Sequence, residues 1–416
     1  MIAEIDVAGA NLTALNRMLA SEPKVTSVSR AGDCIPGFTP NTILTSGAPM
    51  AWPQYHGGQR AALIGGALYE GLATSEEEAA EKFASRDIVI GACHDYGCVG
   101  SVAGIYTASM PVFVVSNTTY GNVGYCNLYE GKTSRRLNYG LYDEGVKERL
   151  DRLRDSVAPV LKRAIENAGG IALKPIVRRA LNMGDELHSR NTAASYIFTD
   201  QLMPHFLDLP DVPTAQLKQV LALLTEDNYF FLRLSMAAAK VTADAARNIP
   251  GSTIVTAMAM NCRHFAIRVS GLGDTWFVGP EPTVEAKFFE GYSKEDIAWM
   301  GGESVITETI GLGGFAQAAS FPLQDYQGGS PERMIEINLD MYKITQGENS
   351  DYRIPYFSFR GTPTGIDFRK VLSTGITPVV DAGIGGKSGG QIGAGLIRVP
   401  IECFQQAQFA FEAKYG

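Results

Sequence analysis

The sequence lacks any block of lysine or arginine, and its longest run of like charge is the acidic Glu76-Glu77-Glu78. A nucleic-acid footprint needs basic residues gathered on one face, so that class is set aside. No apolar run approaches the ~20 residues of a membrane-spanning helix. The opening MIAEIDVAGANL has no basic region followed by an apolar stretch, so no signal peptide is expected. Six scattered cysteines (Cys34, Cys93, Cys98, Cys126, Cys262, Cys403) lack framework spacing and fit reduced thiols in a soluble, cytoplasmic protein. Cys93 and Cys98 bracket His94 too irregularly for a zinc site. Neither a metal nor a cofactor is expected.

What is there is an ordinary globular balance: 45% hydrophobic and 19% charged residues, with a net charge of −8. At 416 residues the chain exceeds the size at which one core tends to split. Residues 1–140 alternate strand-like segments (42–47, 87–93, 110–117) with helix-like ones (58–71, 75–84), which argues an α/β unit. Residues 141–250 read as a helical domain. Val146, Leu150, Leu153, Val157, Leu161 and Ile165 form one apolar stripe there, with a kink expected at Pro159. Further helices are predicted over 173–182, 184–203, 214–224 and 227–247. Strand patterns return at 252–260, 264–271 and 274–279, opening a glycine-rich third domain over 251–416. The expected fold class is α/β, with mixed α+β as the alternative.

Five constellations carry possible chemistry. GACHDYGCVGS (91–101) follows a strand and delivers His94 and Asp95 to its end, either as functional groups or as a hydrogen-bonded turn. NMGDELHSRN (182–191) is read as opening a helix, so that Asp185 and His188 share a face and Glu186 and Arg190 form an i,i+4 pair. Asp185 there either orients His188 or complements the helix dipole. On 229–247 a polar stripe of Arg233, Lys240, Asp244 and Arg247 meets solvent or lines a cleft. ESVITETIGLGGFAQAAS (303–320) reads as strand, glycine turn and helix, with Glu308 just before a turn suited to anions. TPVVDAGIGGKSGGQIGAG (377–395) fails the phosphate-loop spacing, because Asp381 stands where the first glycine is required. Lys387 among backbone N–H groups is then an anion nest or part of a flexible loop.

MGDELHSRN, STIVTAM (252–258), FAIRVSGLGDTWF (265–277), ITETIGLGG (306–314) and GITPVVDAGI with GGQIGAG (375–395) resemble the AllG/YlbE family. APMAWPQY, GACHDYGCVG, TASMP and YCNLYEG extend the resemblance through the first domain. The family has two consecutive histidines where this chain has His94-Asp95, so no role passes to the second position. The resemblance implies a subunit of a carbamoyltransferase that exchanges oxalurate and phosphate for oxamate and carbamoyl phosphate. It also implies AllF-type and AllH-type partner subunits, hence an oligomer. A non-catalytic subunit and an amide hydrolase stay open as alternatives. The expected catalytic groups are His94, Asp185, His188 and Glu308. Substrate or anion contacts are expected from Arg190, Asn191, Lys240, Arg268, Gly311, Gly313, Gly314, Lys387, Gly389 and Gly390.

Overall fold

Ser75 accepts a hydrogen bond from the Glu78 N–H and caps the helix Glu76–Ser85, whose first turn is the acidic run. Negative charge there complements the helix dipole, so the composition of this segment fixes where it starts. The computed structural model describes residues 5–227 and 229–416. It is a mixed α/β fold. The helix Gly57–Tyr69 and the strands Thr42–Thr45, Val89–Ala92 and Pro111–Asn117 lie where the alternation placed them.

Thr42–Thr45 and Val89–Ala92 pair in parallel. The main sheet is antiparallel except at one edge, in the order Cys98–Val99, Val123–Asn127, Pro111–Asn117, Pro23–Arg30, Ile171–Ala172. Its last, two-residue strand comes from the stretch that periodicity makes wholly helical. In that stretch the helices Glu144–Arg152 and Ala158–Asn167 are joined by a π-helical turn, Leu153–Val157. Pro159 follows directly on this π-helical turn, inside a helical run continuous from Glu144 to Asn167.

Three expectations are corrected. Residues 182–191 form a loop, and the helix begins only at Thr192 and runs to Leu207. Gly184 and Leu187 take left-handed φ values of +92° and +70°, which no α-helix accommodates. Residues 303–320 are short 3-10 turns, Ser304–Ile310, Gly313–Phe315 and Gln317–Ala319, in place of a strand and a helix. Residues 377–395 contain two strands, Val379–Gly385 and Gln391–Arg398, paired as a hairpin with Thr283–Phe288 on its outer side. Glycine is used there for close approach: a Cβ on Gly395 would lie 2.2 Å from the Glu285 carbonyl oxygen.

The helix Leu232–Asp244 is the centre of the fold, buried from Leu232 through Ala243. It packs against the strands Pro111–Asn117 and Val123–Asn127 and against the turn Ser304–Ile310. The largest apolar cluster accordingly runs from Ala14 to Tyr352, so packing is continuous across residues 140 and 250. Burial on every side also explains a helix apolar almost all round. Among the described residues no helix is long and apolar enough to cross a membrane.

Candidate active site

Segments distant in sequence open onto one cleft. Its wall includes His188, Ser189, Arg136, Arg233, Tyr129 and the Gly301-Gly302 turn, and no carboxylate. Val102, also on this wall, has φ +56°, and Leu187, next to His188, is left-handed as well. Such backbone costs about 1–3 kcal/mol per residue, persists only where its surroundings impose it, and clusters at functional sites.

The 182–191 loop is rigid because its own polar groups tie it down. Glu186, fully buried, accepts hydrogen bonds from the backbone N–H groups of His188 (3.1 Å), Ser189 and Arg190 (2.9 Å). Asp185 accepts from the Ala194 N–H (2.9 Å) and from Arg190 Nη1 (2.7 Å), thereby capping the next helix. Arg190 thus pairs with Asp185 and not with Glu186, and Asp185 does not orient His188. Asn191 Nδ2 donates to the His188 carbonyl (2.7 Å), and its Oδ1 accepts from Ser235 on the central helix (3.2 Å). Burial pushes the Asp185 carboxyl up to about 7.

The group that orients His188 is Glu308, whose Oε1 lies 2.8 Å from His188 Nδ1. Oε1 also accepts from the N–H groups of Gly314 (3.1 Å) and Asp381 (3.0 Å), and Oε2 accepts from Thr307 Oγ1 (2.8 Å). Gly313 makes room for this pair: a Cβ there would lie 2.2 Å from Glu308 Oε1 and 3.0 Å from His188 Cβ. With Nδ1 held by the carboxylate, Nε2 is the ring nitrogen left for the cleft. Burial opposes charge on His188, but Glu308 and Glu186 outweigh it and raise its pKa above the ordinary value.

Asp381 lies behind the pair and hydrogen-bonds Glu186. Burial, with the charges of Glu186 and Glu308, pushes its pKa far up. His188, Glu308 and Asp381 offer ligand atoms within 4.8 Å of one another, a donor set that a divalent cation accepts. Their oxygens are already taken by protein donors, Gln317 Nε2 reaching both oxygens of Asp381 at 2.8 and 2.9 Å. A cation would have to displace these bonds.

The other expected residues lie elsewhere. His94 does not line the cleft. Its ring meets Trp276 edge-on at 5.4 Å, and burial with Lys240, Arg268 and Arg247 holds its pKa well below the ordinary value. Lys240 is 1% exposed and pairs with Asp244 at 2.8 Å, so at that position the polar stripe faces neither solvent nor the cleft. Arg247 at its end is partly exposed, and Arg233 at its start lines the cleft. Arg268 pairs with Asp95 and stacks on Trp276. The 310–314 turn has no free cradle: Gly311, Gly313 and Gly314 donate to Glu308 O, Glu186 O and Glu308 Oε1. Lys387, Gly389 and Gly390 form the hairpin bend, with Lys387 exposed and outside the cleft. A phosphate nest at these two loops is therefore withdrawn.

Sequence reasoning missed Arg136, Asp381 as a cluster member, and Glu303. Arg136 stands in a loop pinned by Glu130, which accepts from the Leu137 and Asn138 N–H groups (2.7 and 3.1 Å). Glu303 accepts from the N–H groups of Gly47 (3.0 Å) and Gly100 (2.8 Å), tying the 91–101 segment to the cleft wall. Burial pushes its carboxyl up to about 8. Its folded pKa exceeds the unfolded one, so the native state holds an extra proton between those values. That stability is complete below the unfolded pKa and is lost as pH rises towards 8. Melting temperature should fall from pH 5 to 9, and Glu303→Gln should flatten the slope by up to about 1.4 kcal/mol per pH unit. An unchanged slope in the variant would show that Glu303 is already ionised.

The family model for the oxamate carbamoyltransferase subunit AllG matches residues 88–304. The chain is 37% identical over 415 residues to the oxamate carbamoyltransferase subunit AllG of Escherichia coli K12, covering 99% of each. It is 39% identical over 412 residues to the uncharacterized protein YahG of the same strain, covering 99% of this chain and 87% of YahG. A crystal structure of a conserved protein of unknown function from Enterococcus faecalis V583 superposes with a TM-score of 0.95 at 38% identity, over 99% of this chain and 98% of that one. With identity at this level along nearly its whole length, the chain belongs to the AllG family.

Proposed function

We propose that this chain carries the carbamoyl-transfer site of an oxamate carbamoyltransferase, acting with AllF-type and AllH-type subunits on oxalurate and phosphate. The observation that carries this reading is His188 on the cleft wall, oriented through Nδ1 by the buried Glu308. Transfer forms a bond between a phosphate oxygen and the ureido carbonyl carbon and breaks the bond from that carbon to nitrogen. The departing oxamate nitrogen needs a proton. An imidazolium held by a carboxylate supplies it from Nε2, and the neutral ring removes it in the reverse direction. Loops fixed by Glu186, Glu303 and Glu130 keep the cleft in shape without further ordering at the moment of reaction.

The test is the assembled complex supplied with oxalurate. Oxamate and carbamoyl phosphate should appear in equal amounts, and only when phosphate is present. Oxalurate loss that ignores phosphate would overturn transfer in favour of hydrolysis.

A further inference from the structure

We infer that Arg233, together with Arg136, is an oxyanion anchor of the cleft, binding a carboxylate or a phosphate group; the inference rests on the cleft being the reacting site. Arg233 projects from the central helix, is 4% exposed, and leaves Nε and Nη1 without a hydrogen-bond partner. Among the described residues neither Arg233 nor Arg136 has an ion pair. The neighbour they share is Tyr129, whose ring centroid lies 5.8 Å from Arg233 Cζ and 5.1 Å from Arg136 Cζ. Arg136 spends only Nε on the protein, donating to the Thr133 carbonyl at 2.7 Å.

A buried guanidinium with unused N–H groups is costly unless something charged arrives to meet it. Other buried arginines of this chain are met: Arg268 by Asp95, and the partly buried Arg190 by Asp185. Arg233 differs in facing a cleft whose wall holds His188 and no carboxylate. Two guanidiniums on the wall of one cleft suit a small, doubly bonded oxyanion. Both guanidiniums lie against the Tyr129 ring, a contact that favours a cation without supplying a counter-charge. The two sources in the proposed reaction are the carboxylate of the amide acid and the phosphate of the carbamoyl donor, and the same fork geometry serves either.

The full chain is titrated calorimetrically with inorganic phosphate in one arm and oxamate in the other, for wild type, Arg233→Met, Arg136→Gln and His188→Asn. Melting temperature is recorded with and without each anion. Wild type should bind at least one anion, which identifies the source. Arg233→Met should weaken that anion by at least about 30-fold, as loss of a buried charge-assisted contact does. Without ligand its melting temperature should equal or exceed wild type, because a merely structural arginine would lower it. Arg136→Gln, at a half-buried position, should weaken the anion about tenfold and serves if Arg233→Met fails to fold. His188→Asn should weaken the anion less than Arg233→Met does. Wild-type affinity in both arginine variants, or no anion binding by wild type, overturns the anchor. Binding that depends on Arg233 in a complex that forms no carbamoyl phosphate leaves the anchor standing and removes the proposed reaction.

Discussion

His188→Asn should lower turnover of the assembled complex by about 10²–10⁴-fold, the range for losing a positioned general acid or base. The fold should survive. Glu308 keeps its bonds from Gly314, Asp381 and Thr307. The pH profile adds a sign. Cleavage of oxalurate needs the protonated ring, and the folded environment raises the His188 pKa. The rate should therefore hold through the acid side and fall as pH rises through that raised value. Glu308→Gln should move that descent to lower pH, because the carboxylate holds the charge in place. Turnover and circular dichroism measured on the same preparations check both statements. A folded His188→Asn complex with wild-type turnover makes the histidine structural.

Glu186→Ala should cost at least about 3 kcal/mol of stability, although its side chain touches no substrate. Removing it orphans three backbone N–H groups in a buried loop, each worth about 1–3 kcal/mol when left without an acceptor. Part of that is offset because Glu186 itself is buried at some cost, which raises its own pKa. The same change removes the side-chain partner of Asp381. Equilibrium urea unfolding reads the result as a lower midpoint at unchanged slope. A midpoint within about 0.5 kcal/mol of wild type would mean that water or a rearranged loop replaces the carboxylate.

Residues 42–117 were legible because local signals and tertiary structure agree there, whereas the helix Val7–Ala20 and the strands Pro23–Arg30 and Val123–Asn127 were not read from the sequence. Ser75 before an acidic turn, short β-branched runs and glycine boundaries each specify one element. The sequence also pointed to His188 and Glu308 separately, but it assigned Asp185 to His188 on helical spacing. That spacing was void, because Leu187 is left-handed and the segment is a loop. No periodicity reports a side chain that caps a helix nine residues away, as Asp185 does at Ala194. The glycine-rich stretches misled for a related reason. Glycine was read as freedom to bind anions, whereas at Gly313 and Gly395 it is needed for contact between protein groups. Arg136 carried no local signal at all, since only the loop pinned by Glu130 and the ring of Tyr129 give it a place.

The residues behind the cleft come from positions 186–188, 308 and 381, and the chain between the first and the last is nearly two hundred residues long. During synthesis the 182–191 loop leaves the ribosome well before Glu308 and Asp381 exist. At about 5–20 residues per second that interval is on the order of 10–40 s. Through it the charged loop has no buried setting, and the central helix lacks one of the two surfaces that enclose it. The nascent protein must wait with an apolar helix half covered, which makes this interval the natural point for chaperone protection. A message truncated before the final hairpin yields a chain without this cluster, because Asp381 arrives only with the Val379–Gly385 strand.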